Sequence, residues 1–110
     1  MSLEHCTVTQ VVRDEKTNEV QLVTDSSVYR QGNPIFLSSE DAHRFYQWCS
    51  ETLEYSRVGS QFRTQDGVKL TVEQANHRYM VCYVSTRHEA FELEVHDGDV
   101  EELYSALEGK

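Results

Sequence analysis

A chain of 110 residues is sized for one domain and is too short for two ordinary ones. Charged residues at 26% and hydrophobic ones at 38% exclude a disordered chain, and a domain this long buries enough surface to need neither disulfide nor metal. The net charge of −9, spread over both halves, repels phosphate backbones and anionic lipid, which weighs against nucleic-acid and membrane partners.

In chain order, residues 6–13 are rich in Val and Thr and predict a strand. A polar hairpin loop over 14–19 leads to a second strand over 20–24. Residues 28–37 are extended, with Gly32, Asn33 and Pro34 as a break before Ile35, Phe36 and Leu37. Ser38 and Ser39 supply cap candidates, and Glu40 and Asp41 put acids at the positive end of a helix dipole. The helix runs over about 40–55, with Ala42, Phe45, Cys49 and Leu53 on its buried face.

After a connector at 57–60, Val68, Leu70 and Val72 alternate with polar residues as a half-buried strand, and 73–77 predicts a turn. Residues 78–84 carry the strongest strand signal in the chain. A turn over 85–89 precedes Phe91, Leu93 and Val95, which alternate with Glu92 and Glu94. Asp97 is the cap candidate for a second helix reaching about Leu107.

An offset of 58 residues sets both helices in register: Asp41 falls on Asp99, Phe45 on Leu103 and Tyr46 on Tyr104. The first hairpins fit better at an offset of 60, which sets Val8 on Val68 and Val12 on Val72. The expected fold is α+β, a single domain over 1–110 with pseudo-repeats at about 5–57 and 58–110. Two β-β-β-α units would make a mainly antiparallel six-stranded sheet with both helices on one face.

If the halves correspond, Val20, Leu22 and Thr24 face the helices, and so do Met80, Cys82 and Val84. Tyr79, Val81 and Tyr83 then lie on the opposite face, where solvent is expected. Such an apolar strip needs a partner or a cover. The candidate covers are the 28–37 segment and the 57–65 connector. The candidate binding residues are therefore Tyr79, Val81 and Tyr83, with Arg78 and Arg87 as nearby cations for an anion.

Catalytic constellations are scarce. The five histidines show no HxH, HxxxH or HExxH spacing, and no nucleophile elbow, P-loop or GxGxxG occurs, so no catalytic residue, metal or cofactor is assigned. Glu92, Glu94 and His96 alternate along one strand as a weak carboxylate–imidazole candidate. Cys6, Cys49 and Cys82 are widely spaced and read as reduced thiols of a cytoplasmic protein. No apolar run is long enough to cross a membrane, and the N-terminus lacks the basic and apolar regions of a signal peptide.

The leading expectation is a non-catalytic protein-interaction or regulatory module, acting as a homodimer or on another protein. A single-stranded nucleic-acid binder is the alternative. In outline, exposed aromatics on a sheet followed by a helix are similar to the strand-rich units of single-strand-binding coactivator and Pur-type proteins. That likeness implies bases stacked on the rings, with Arg63, Lys69, Arg78 and Arg87 as the available cations. A small-metabolite site or enzyme pocket between helices and sheet is the third reading.

Overall fold

Period-two alternation lays down most of this architecture, in a computed structural model that describes residues 3–26 and 32–108. The elements are β1 (His5–Arg13), β2 (Val20–Ser26), β3 (Ile35–Leu37), α1 (Ser39–Tyr55), β4 (Gln61–Arg63), β5 (Lys69–Ala75), β6 (Tyr79–Ser85), β7 (Ala90–His96) and α2 (Asp97–Leu107). They form one seven-stranded sheet in the order β3-β2-β1-β7-β6-β5-β4. Every neighbouring pair is antiparallel except β1 with β7, which run parallel through His5–Glu92, Cys6–Leu93 and Thr7–Glu94.

The fold is thus α+β with two helices, and the sheet has seven mixed strands where six, mainly antiparallel, were expected. The additional strand is β4, inside the stretch read as a connector. Three residues are too few to show a period, and tertiary contacts hold them in place. Phe62 packs edge-on against Phe45 at 5.3 Å and tilted on Trp48 at 5.5 Å, with the Arg44 guanidinium 5.0 Å from its ring centre. Trp48 Nε1 donates to Ser60 Oγ at 2.8 Å, and the buried Asp41 carboxylate accepts from Arg44 at 2.6 Å and from the Gln65 N–H at 3.0 Å. The parallel seam joins the two halves and has no turn to announce it in the sequence.

A β-bulge interrupts each long hairpin. In β1 it falls between Val8 and Gln10, opposite Thr24 and Val23. In β5 it falls between Val72 and Gln74, opposite Cys82 and Val81. The second bulge lets β5 continue to Ala75 through residues that the sequence assigns to a turn.

Helix α1 starts where expected, with Ser38 Oγ accepting from the Asp41 N–H at 3.1 Å. It ends on Ser56 in the left-handed region, φ 49°, whose N–H bonds to the Thr52 carbonyl. For α2 the cap is His96 in place of the expected Asp97. Strand β7 passes straight into the helix, and the Asp99 carboxylate accepts from the His96 N–H at 2.8 Å.

The inner face of the sheet and the helices share one core. Val20, Leu22, Leu70, Val72, Met80 and Leu93 lie against Phe45, Cys49, Leu53, Val100 and Leu103, all buried. Glu102 secures α2 to the sheet by accepting from the Val11 N–H at 2.9 Å. Gly32 passes close under the inner face: a Cβ there would sit 2.6 Å from Thr24 Oγ1 and 3.1 Å from the Asp25 backbone. Of the extended segment expected over 28–37, residues 28–31 lie outside the described residues.

Candidate functional site

Because both helices pack on the inner face, the outer face of the sheet is left without a covering layer among the described elements. Strand phase puts Tyr79, Val81 and Tyr83 on that outer face, as expected, with Met80, Cys82 and Val84 wholly buried on the inner one. Their exposure differs from the expectation. Val81 is only 8% exposed, and the two tyrosines are half-buried.

The cause is the register. Val81 sits between Gln74 and Glu94, Tyr83 between Thr71 and Glu92, and Tyr79 opposite His96, with ring centroids 5.9 Å apart. Long polar neighbours therefore wall the strip on both sides and leave the rings partly open. Of the expected covers, the described parts lie elsewhere, and residues 28–31 are outside the described residues. Residues 35–37 and 61–63 extend the sheet as its two edge strands.

Beside the strip is a titratable network that the sequence showed only in part. Glu94 bridges two imidazoles: its Oε1 is 3.2 Å from His5 Nε2, and its Oε2 is 2.8 Å from His96 Nε2. His5 Nδ1 lies 3.7 Å from Glu92, and His96 Nδ1 lies 3.6 Å from Asp99. The bulged Glu73 approaches Glu92; burial, a hydrogen bond to that carboxyl and its charge all raise the Glu73 pKa.

Glu92, Glu94 and His96 share one side of β7, and His5 joins them across the parallel seam. No local motif announces His5, because its place depends on the pairing of β1 with β7. Among the described residues, no group of three or more His, Cys, Asp or Glu is placed to hold a metal ion.

Arg78 and Arg87 bracket the strip without meeting. They sit at opposite ends of seven-residue β6, roughly 20 Å of strand apart, so they form no joint anion site. Arg63 and Lys69 are register partners at the β4–β5 edge, in line with Ser85. The outer face therefore runs from a basic margin to an acidic centre. The exposed apolar residues on it are elsewhere: Val12 at 40% and Phe36 at 51%, on either side of Gln21.

The thiols offer no nucleophile. All three cysteines are free and buried. Burial, with help from the Glu73 carboxylate, pushes the Cys82 pKa up to about 12. Burial also raises Cys49 well above an ordinary thiol, and it raises Cys6. Among the described residues, no helix is long and apolar enough to cross a membrane.

Comparison with protein-family models, with curated proteins and with solved structures gives no match to this chain.

Proposed function

We propose that the chain is a non-catalytic protein-interaction or regulatory module that works as a homodimer through the outer face of its sheet. The observation carrying this reading is the one-sided architecture: both helices cover one face, and Tyr79, Val81 and Tyr83 lie at the centre of the other. Half-buried tyrosines suit such a role, since the ring gives contact area and the hydroxyl can stay hydrated.

The dimensions favour it. Five strands of seven to nine residues and two of three, about 4.8 Å apart, offer on the order of 600 Å² a side. Two such faces exceed the roughly 1,000 Å² that a specific interface requires. The face carries an acidic centre at Glu92 and Glu94 and a basic margin at Arg63 and Lys69. That same acidic centre works against a nucleic-acid backbone.

Mass measurement by light scattering on a sizing column tests this. The wild-type protein should elute at twice its 12.8 kDa, and a Tyr79→Ser, Tyr83→Ser double variant should elute as a monomer with an unchanged circular-dichroism spectrum. A wild-type monomer at 100 μM would rule the reading out.

Two finer points belong to the same proposal. The halves are a tandem duplication, supported by bulges facing Thr24 in one hairpin and Cys82 in the other, positions that correspond at the helix offset. The bulges set Val72, in place of Val68, as the counterpart of Val8. Three free buried thiols favour a reducing compartment such as the cytoplasm.

A further inference from the structure

On the helical side of the molecule, the seam between α1 and α2 opens into a groove of about 420 Å³, within the usual range of small-molecule sites. Its long axis follows from the packing. Tyr46 meets Tyr104 with ring centroids 5.3 Å apart, while Glu54 and Asp97 line the same groove, so the helices are antiparallel. Eight residues of α1 separate Tyr46 from Glu54, about 12 Å of helix rise.

The groove is polarised along that axis. One end is aromatic, walled by Tyr46 and Tyr104, and the middle is floored by buried Leu53 and Val100. Glu54 and Asp97 lie at the other end, Glu101 lies between that end and Tyr104, and no lysine or arginine is among the described residues that line the groove. The α1 C-terminus adds the negative end of its dipole there, with no basic residue in its last turn. The positive α2 N-terminus at this end is already answered by Asp97 and Asp99.

His77 also lines the acidic end. Its Nδ1 lies 3.1 Å from the Leu53 carbonyl, to which it donates, and Nε2 is left facing away from that bond. At the aromatic end, the Tyr104 hydroxyl donates to Glu108, a pairing that raises its pKa.

We propose that this groove binds a small arylalkylamine, its ammonium among Glu54, Asp97 and Glu101 and its aromatic body against Leu53, Val100 and the two tyrosines. The ligand class follows from complementarity. An anion would meet three carboxylates, a neutral molecule would gain nothing from their charge, and a bare inorganic cation would make no use of the apolar floor. The site is separate from the outer sheet face, so its fate does not depend on dimerisation.

The test is a ¹⁵N-edited NMR titration of the full chain with phenethylamine. Shifts should be confined to residues 46–54, 77 and 97–105, and phenethyl alcohol or 3-phenylpropionate at equal concentration should not produce them. A Glu54→Gln, Glu101→Gln double variant should weaken binding roughly tenfold, at two to five times per exposed carboxylate. Glu15→Gln with Glu19→Gln, the same charge change on the distant hairpin, should leave affinity within twofold, as should Tyr79→Ser with Tyr83→Ser. Shifts scattered over the acidic surface, an equal response to phenethyl alcohol, an equal loss in the hairpin variant, or no shift at 10 mM amine would overturn the assignment.

Discussion

Replacing Phe62 by alanine tests whether three residues of β4 belong to the cooperative core. Phe62 is 4% exposed, yet its strand pairs on one side only, with β5. Burying such a side chain contributes about 1.5–3 kcal/mol, and each ring contact adds about 0.5–1.5 kcal/mol beyond area. Two ring neighbours and the Arg44 guanidinium therefore put the loss at about 3–4 kcal/mol, in line with Phe→Ala changes in closed cores. Against a typical domain stability of about 5–15 kcal/mol, that lowers the melting temperature by more than 10 °C.

The single tryptophan makes the assay local as well as global. Trp48 touches Phe62 and bonds to Ser60, so its fluorescence reports the β4 clasp, while far-ultraviolet circular dichroism reports the sheet. In urea the variant should lose both signals at a lower midpoint. If the edge strand peels away first, the fluorescence change precedes the dichroism change. A loss below 1 kcal/mol with unaltered Trp48 emission would refute the clasp.

Three further outcomes follow from the packing. Thr52 Oγ1 is wholly buried without a hydrogen-bond partner, so Thr52→Val should stabilise the protein by about 1 kcal/mol in urea unfolding; a destabilised variant would show that the hydroxyl is satisfied. Burial raises the Asp99 carboxyl above its unfolded value, opposed by the His96 N–H it accepts. The stabilisation this gives is full below the unfolded pKa and is lost as pH rises through the folded one. Asp99→Asn, which keeps an acceptor for His96, should therefore be more stable than wild type at pH 7, the gain closing toward pH 3; a constant difference across that range would contradict the assignment. Iodoacetamide at pH 8 should label none of the three cysteines until denaturant is added, whereas rapid labelling of Cys82 in the native protein would contradict its burial.

The elements that pattern alone encodes were legible: both helices, the Ser38 cap and six of the strands follow from periodicity and polar punctuation. The side taken by Tyr79, Val81 and Tyr83 was also legible, through analogy between the halves. Four things were not. Strand β4 carries no period and exists because Phe62, Ser60 and Gln65 find partners on α1. The bulge at Glu73 turned an expected loop into strand, since one inserted residue restores the alternation only after the interruption. His5 entered the Glu92–Glu94–His96 row through a parallel pairing of residues almost ninety positions apart, which local spacing does not encode. The shelter of Val81 depends likewise on which strands neighbour β6.

That parallel pairing bears on how the chain is made. His5, Cys6 and Thr7 leave the ribosome more than eighty residues before their partners Glu92, Leu93 and Glu94. Until β7 is made, the β1–β2 hairpin carries an open hydrogen-bonding edge beside apolar side chains meant for a core not yet present. The nascent chain is thus exposed to mispairing with neighbouring copies until β7 arrives, and slowing translation between β2 and β7 should lower the soluble yield.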